Sequence, residues 1–122
     1  MLLIVALLIS CHAIDGDTLR CGDERIRLLA IDAPEMGGKC RGRTGRVCVD
    51  GDPDRAKAHL ARLIGKGRLR IDRTGKDRYG RTVAVVYAGG VNVACSMLAA
   101  GDAVYQARYD QRGRVKRECG VD

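Results

Sequence analysis

The sequence predicts an α+β fold whose first half is rich in strands. Short apolar runs such as IRLLAI (26–31) and TVAVVY (82–87) have the length and composition of strands. Between residues 53 and 64 the apolar positions instead recur at helical spacing. At 122 residues the chain forms one domain with a buried core. That core is aliphatic, because the sequence has no Trp or Phe and only four Tyr.

The sequence predicts three strands before the first helix, at residues 8–14, 17–22 and 25–31. The first two are joined by Asp15-Gly16-Asp17-Thr18, where Asp tolerates a tight turn and Gly16 is expected to supply a positive φ. The third ends before Asp32, close to Pro34, which cannot continue a strand ladder. Residues 36–51 are rich in Gly and Arg without periodicity, and this predicts a loop.

Helix signals follow this loop. Asp52 is expected to cap a helix that begins at Pro53 and ends before Gly65. Its apolar face is formed by Ala56, Leu60, Leu63 and Ile64.

The second half of the chain predicts two more strands and another helix. The strands, at 67–72 and 82–87, flank the turn TGKDRYGR. Asn92 is expected to cap the second helix, which ends at Gly101. The tail from 108 to 118 is basic and weakly patterned.

The net charge of +7 and the pI near 9.4 favour a polyanionic partner, either nucleic acid or an anionic membrane surface. A basic surface that only keeps the protein soluble is the alternative, and charge alone does not exclude it.

Six cysteines, an even number, favour an oxidising compartment. Cys11 and Cys21 are equidistant from Gly16 and would lie opposite each other in the first hairpin, where Cβ atoms come within about 5 Å. Cys40 and Cys48 bracket a short basic loop, which leaves Cys95 to pair with Cys119. Six reduced thiols in a cytosolic protein are the alternative.

The N-terminal segment, residues 1–10, is apolar and uncharged. It is too short to span a bilayer and lacks the basic region of a signal peptide. LISC, residues 8–11, resembles a bacterial lipoprotein cleavage box, although the hairpin also needs Cys11. We interpret this segment as a truncated or degenerate export signal running into the first strand; a plain buried strand is the alternative.

Three carboxylates, Asp17, Asp32 and Glu35, surround the third predicted strand, which carries Arg27. A turn and a strand end can converge at one edge of a small sheet. Converging hard oxygen ligands suit Ca²⁺ or Mg²⁺, and a nearby arginine suits a phosphate. A hairpin turn flanked by solvated acids is the alternative.

DGDTL (15–19), RLLAIDAPE (27–35) and DRYGR (77–81), in this order and spacing, resemble the staphylococcal nuclease (thermonuclease) family. The resemblance runs from about Ile14 to Gly101. It implies a small five-stranded OB-type β-barrel with two or three packed helices, and a single nuclease-like domain over residues 11–122.

The resemblance also implies roles for individual residues. Asp17 and Asp32 correspond to carboxylates that bind Ca²⁺, and the backbone carbonyl of Ala33 to a further ligand. Glu35 corresponds to the general base for an attacking water. The two catalytic arginines, which hold the scissile phosphate, correspond to Arg27 and Arg81. An ion pair within the strand end and a cap on the turn are the structural alternatives for these two.

The expected substrate-binding residues are Arg78, Tyr79, Tyr105 and Tyr109. Arg78 fits a phosphate or leaving-group contact, and Tyr79 and the two later tyrosines lie where the family has tyrosines near the nucleotide. Base stacking on such rings tolerates any sequence. A solvated turn charge is the alternative for Arg78, and core packing is preferred for Tyr87. His12 and His59 are expected to be structural or exposed.

We therefore expect a secreted or periplasmic, Ca²⁺-dependent nuclease that hydrolyses DNA or RNA with little sequence preference, as the resemblance implies, leaving 3′-phosphates and favouring single strands. A monomer without a transmembrane span or stable protein partner is expected. A non-catalytic OB-type nucleic-acid-binding module is the alternative, although such domains typically lose the metal carboxylates or paired arginines that this chain keeps. A protein of the membrane surface is a third reading.

Overall fold

The computed structural model describes residues 10–38 and 48–121. Within these ranges the strands are β1 Cys11–Asp15, β2 Thr18–Cys21, β3 Glu24–Leu28, β4 Ile31–Asp32, β5 Leu69–Lys76, β6 Thr82–Ala88, β7 Val91–Asn92 and β8 Val104–Tyr105. The α-helices are α1 Pro53–Ile64, α2 Val93–Ala99 and α3 Arg114–Cys119. Two short 3₁₀ turns are also present, Met36–Gly38 and Ala107–Tyr109.

Six of the strands form one sheet in the order β1-β2-β3-β6-β5, with β7 paired to β6. The β3–β6 pair is parallel and the other pairs are antiparallel. β4 and β8 form a separate antiparallel pair. The mixed α+β class is confirmed, but the prediction of five strands is wrong, because β4, β7 and β8 have two residues each. Strands this short leave no alternating pattern in a sequence. Closure into a barrel stays a prediction.

The third predicted strand, 25–31, is divided in two. β3 ends at Leu28 and β4 begins at Ile31. Between them Ala30 has a φ of 60°, a left-handed conformation that is uncommon for a residue with a Cβ atom. This turn redirects the chain away from β6 and towards β8, so that Asp32 leaves the main sheet.

Gly16 is needed for space, and the expectation that it supplies a positive φ is wrong, because it is not among the glycines with positive φ. A Cβ atom at this position would lie 2.7 Å from the Cβ of Ala56 and 2.8 Å from the Cβ of Ala33. The turn between β1 and β2 is therefore pressed against both α1 and the segment that follows β4.

The aliphatic core is shared by the sheet and all three helices. Its fully buried side chains include Leu19 and Ile26 from the sheet, Leu60 from α1, Met97 from α2 and Val115 from α3. α1 packs against β1 and α2, and α2 packs against α3 and β6.

The predicted helix signals are confirmed. The Asp52 side chain accepts hydrogen bonds from the N–H groups of Asp54 and Arg55, and Pro53 begins α1. Asn92 accepts a bond from Ala94 N at 3.0 Å and caps α2. α3 was not evident from sequence, because its six residues bury only Val115.

Two of the predicted disulfides are present. Cys11 pairs with Cys21 across the β1–β2 hairpin, and Cys95 in α2 pairs with Cys119 in α3. The pair Cys40–Cys48 involves Cys40, which lies outside the described residues. In the described part of the chain, no helix is long and apolar enough to cross a membrane.

Candidate active site

Arg27 joins two of the predicted metal ligands. Its Nη2 atom lies 3.5 Å from Asp17 Oδ2 and 3.4 Å from Asp32 Oδ1. Asp17 comes from the β1–β2 turn and Asp32 from β4. The predicted convergence of a turn and a strand end is therefore seen directly, since one guanidinium nitrogen contacts both carboxylates.

The turn that separates β3 from β4 fixes the direction of the Arg27 side chain. Its Nη1 atom donates to the carbonyl oxygens of Ile31 at 2.7 Å and Leu28 at 3.2 Å. In a continuous strand these carbonyls would point to neighbouring strands. The left-handed turn at Ala30 instead brings the Ile31 carbonyl within reach of a side chain four residues earlier.

Asp17 is a buried carboxylate with a full set of partners. It is 5% exposed, and it accepts hydrogen bonds from Thr18 Oγ1 at 2.9 Å and from Ala33 N at 2.8 Å. These bonds compensate the cost of removing a charge from water. They also place Ala33, whose carbonyl is a predicted ligand, beside Asp17.

Glu35 is half-buried and lies in the segment between β4 and the first 3₁₀ turn. The next residue, Met36, donates its N–H to Asp15 Oδ1 at 3.2 Å, so this segment is attached to the β1–β2 turn. In residues 10–38 and 48–121, no three His, Cys, Asp or Glu side chains are gathered closely enough to hold a metal ion. The predicted ligand set needs only two, Asp17 and Asp32, together with the carbonyl of Ala33.

The turn before β6 is organised by Asp77. One carboxylate oxygen accepts the Arg81 Nε–H at 2.7 Å, and the other accepts the N–H groups of Tyr79 at 2.9 Å and Arg81 at 3.0 Å. Burial alone would raise the pKa of Asp77, but these hydrogen bonds lower it below its usual value. Sequence reasoning missed this role, although an Asp that bonds the backbone two residues ahead is a known turn former.

Two connections bring the Asp77–Arg81 turn next to Arg27. The parallel β3–β6 register pairs Arg27 with Val83, two residues after Arg81. In addition, Arg25 Nη2 donates to the carbonyl of Tyr79 at 2.7 Å. The two predicted catalytic arginines therefore lie on neighbouring segments of the chain, Arg27 within β3 and Arg81 just before the adjacent strand β6.

Tyr79 presents an exposed ring close to two arginines. It is 53% exposed, and the guanidinium carbons of Arg78 and Arg81 lie 5.2 Å and 5.5 Å from the ring centroid. These are cation–π distances. An exposed ring held in this way can stack against a base.

The β4–β8 pair brings Tyr105 towards the site. Tyr105 lies opposite Ile31, and its hydroxyl donates to Asp110 Oδ2 at 2.7 Å, which raises the pKa of Tyr105. Tyr109, in the second 3₁₀ turn, is 59% exposed, with the Arg108 guanidinium 4.8 Å from its ring centroid. Tyr109 therefore shares with Tyr79 an exposed ring with a guanidinium over it.

Of the residues expected to be structural or exposed, His59 and Tyr87 have structural partners and His12 is exposed. His59 Nδ1 lies 2.8 Å from Asp102 Oδ2, and Arg55 Nε lies 3.1 Å from the other oxygen, so α1 is attached to the loop after α2. His12 is exposed on β1. Tyr87 packs against the core, and its hydroxyl also donates to Glu118 Oε1 at 2.6 Å.

Comparison with known proteins identifies a matching family and several related proteins. The family described as staphylococcal nuclease homologue matches residues 25–119, which include every predicted site residue except Asp17. An uncharacterized endonuclease of Haemophilus influenzae is 35% identical over 100 residues, which cover 78% of this chain and 49% of that protein. The succinoglycan biosynthesis protein ExoI of Rhizobium meliloti is 36% identical over 92 residues, which cover 75% of this chain and 48% of that protein.

The thermonuclease of Staphylococcus intermedius is 35% identical over 88 residues, which cover 64% of this chain and 46% of that protein. The chain spans about half the length of these curated relatives.

Proposed function

The chain belongs to the staphylococcal nuclease family, and we propose that it is a Ca²⁺-dependent nuclease that hydrolyses phosphodiester bonds in DNA or RNA with little sequence preference. The observation that carries this proposal is the contact of one Arg27 nitrogen with both Asp17 and Asp32. In this contact a guanidinium, a group well suited to binding phosphate, lies directly beside two carboxylate oxygen donors. The names of the Haemophilus and Staphylococcus relatives, endonuclease and thermonuclease, support it.

The two arginines are proposed to bind the scissile phosphate. A guanidinium can donate two parallel hydrogen bonds to the equatorial oxygens of a phosphate, and its charge opposes the negative charge that develops there. Arg27 is aimed by the carbonyls of Leu28 and Ile31, and Arg81 by Asp77. Because both are held by neighbouring groups, little reorganisation is needed when substrate binds.

The donor set beside Arg27 fits a hard divalent cation. Asp17 and Asp32 already share one cationic partner, so a positive charge is favourable between them. Carboxylate and carbonyl oxygens are the ligands that Ca²⁺ prefers. We propose that Asp17, Asp32 and the carbonyl of Ala33 hold the ion, which when bound would screen the charge of the phosphate.

Glu35 is proposed as the general base. In this role it accepts a proton from the water whose oxygen forms the new bond to phosphorus. The bond from phosphorus to the 5′-oxygen breaks, this oxygen leaves and takes a proton from solvent to become a 5′-hydroxyl, and the phosphate stays on the 3′-oxygen of the other product. The attachment of the neighbouring Met36 to Asp15 supports a fixed position for this carboxylate relative to the site.

We propose that the exposed ring of Tyr79, with Arg78, Tyr105 and Tyr109, contacts the bases and backbone of a single strand. A monomer with an OB-type barrel over residues 11–122 fits this use. The two disulfides support an extracytoplasmic location, since such bonds persist in oxidising compartments.

Plasmid digestion in Ca²⁺, in Mg²⁺ and in chelator tests the proposal. We expect cleavage in Ca²⁺ and none in chelator. Asp32→Asn should abolish cleavage, and Asp50→Asn, which changes an exposed acid outside the proposed ligand set, should cleave as wild type does. Binding of DNA without cleavage under all three conditions would favour the alternative, a non-catalytic nucleic-acid-binding module.

A further inference from the structure

Two arginines face each other across the β2–β3 hairpin. Arg20 in β2 is directly opposite Arg25 in β3, and His12 in β1 is opposite Arg20. The neighbouring residues Leu19 and Ile26 are fully buried, so alternation along each strand places the arginines on the outer face of the sheet. The hairpin therefore carries a row of basic residues across its outer surface.

This arrangement is unfavourable unless an anion binds there. Like charges directly opposite on an antiparallel pair destabilise a sheet. In the described residues neither arginine makes an ion pair with a carboxylate. Each donates to a carbonyl oxygen instead, Arg20 Nε to Gly22 at 3.1 Å and Arg25 Nη2 to Tyr79 at 2.7 Å. A carbonyl fixes the direction of a guanidinium without neutralising its charge.

The acidic residues at the end of the hairpin do not remove this charge. The Glu24 carboxylate accepts hydrogen bonds from the Arg73 guanidinium at 2.6 and 2.8 Å and from the Thr82 hydroxyl at 2.8 Å. Asp23 is exposed at the turn and forms no ion pair within the described residues. By contrast, the arginines of the candidate site, Arg27 and Arg81, are each paired with acids.

The basic pair adjoins the candidate active site. Arg25 and Arg27 lie on the same face of β3, two residues apart, which corresponds to about 7 Å along a strand. The Arg25 guanidinium also contacts the turn that carries Tyr79 and Arg81. A cavity of about 450 Å³ lies between the hairpin and this turn, lined by Arg25, Lys76 and Gly80 together with Asp23, Glu24 and Thr82.

We propose that Arg20 and Arg25 form a second phosphate-binding site, which holds the backbone of a polynucleotide strand next to the phosphate bound at Arg27 and Arg81. This inference rests on the proposed function, because it needs a substrate with several phosphates. The site recognises the phosphodiester alone, since no aromatic side chain of the described residues is part of the row. It favours long strands over short ones.

Binding of a fluorescent thymidylate octamer, measured in chelator from 50 to 200 mM salt, tests the second site without cleavage. For a single strand, log K decreases with log salt, and the magnitude of this slope becomes smaller by about 0.7 for each phosphate that the protein no longer neutralises. We expect Arg20→Ala to reduce the magnitude of the slope by this amount. It should also weaken binding about tenfold, the range for removal of one charge-assisted hydrogen bond. Arg20→Lys should retain the slope, which a merely structural role would not predict.

Arg62→Ala is the matched control, because Arg62 is an exposed arginine of α1 outside the row. It removes the same charge and should leave the slope near that of wild type. Equal slopes for Arg20→Ala and wild type would overturn the second site, as would equal losses for Arg20→Ala and Arg62→Ala. Cleavage of the same octamer by wild type in Ca²⁺ is measured separately. Its absence would overturn the nuclease proposal and leave the slope result standing.

Discussion

The candidate site has two halves that are built in different ways. The strand-end half consists of Asp17, Arg27, Asp32 and Glu35, and the turn half consists of residues 77–81. In the strand-end half the Asp17 side chain is buried, and it is bonded to the main chain of Ala33. In the turn half, by contrast, the Tyr79 ring is mostly exposed.

The two arginines show what this difference means. Arg27 is shared between two acids that are proposed metal ligands, whereas Arg81 is held by Asp77, which has no other proposed role. A change in the strand-end half should therefore affect folding, metal binding and catalysis together. A change in the turn half should affect substrate contacts with little effect on stability.

Among the changes that compare the two halves, replacing either arginine by lysine should lower activity the most. Arg27→Lys and Arg81→Lys each remove the proposed pair of hydrogen bonds from a guanidinium to the phosphate, and we expect kcat to fall about 10²–10³-fold. Only Arg27→Lys should also lower the melting temperature, because Asp17 is then left buried with a weaker partner. Steady-state kinetics and thermal denaturation separate the two. Near wild-type turnover of either folded variant would show that its arginine is structural.

Gly16→Ala is expected to damage the strand-end half through packing. The added Cβ atom would meet Ala33 and Ala56 at under 3 Å, so the turn must move away from the segment that follows β4. Overpacking of this kind costs about 1–3 kcal/mol in the free energy of unfolding. We expect a loss in this range by urea denaturation, with weaker Ca²⁺ binding. Gly75→Ala, where none of the described residues comes within 4 Å of the added atom, is the control.

Asp77→Asn should affect the turn half and leave the strand-end half unchanged. The amide keeps an oxygen for the backbone N–H groups but loses the ion pair with Arg81. We expect kcat/KM to fall about tenfold, the range for removal of one charge-assisted hydrogen bond. Ca²⁺ affinity, measured by titration calorimetry, should be unchanged. A parallel loss of Ca²⁺ affinity would show that the two halves are not independent.

The smallest effect concerns Glu24, which supports the start of β6 beside the turn half. The bidentate hydrogen bonds from Arg73 hold the pKa of Glu24 at about 2, below its ordinary value of 4.5. Because the folded-state pKa is the lower one, the stabilisation is complete above pH 4.5 and is lost as the pH falls towards 2. The melting temperature, measured from neutral pH to the acid end of this range, should therefore fall less steeply for Glu24→Gln than for wild type. Identical pH profiles would show that Glu24 does not contribute to the pH dependence of stability.

The sequence predicted the elements with strong local signals and missed those set by tertiary contacts. The caps Asp52 and Asn92 were predictable because each bonds its own helix. The division of β3 from β4 was not, because it depends on a left-handed Ala30 whose carbonyl is bound by Gln106 in a distant segment. Gly16 was recognised as a turn residue for the wrong physical reason.

The same distinction applies to the site. Convergence of Asp17, Arg27 and Asp32 was predicted, and their contacts agree with it. The partner of Arg81 was not predicted, since Asp77 was assigned to the turn without a role. Arg25 gave no signal either, because its importance comes from pairing with Arg20 and from contact with Tyr79.

Calcium titration of the wild-type protein and of Asp32→Asn shows whether the strand-end half binds the metal on which cleavage is proposed to depend. We predict that wild type binds one Ca²⁺ and that Asp32→Asn binds it at least about tenfold more weakly, since a charged ligand is removed. Asp50→Asn serves as the charge-matched control and should bind as wild type does. Equal Ca²⁺ affinity of Asp32→Asn and wild type would show that Asp32 is not a ligand of the ion.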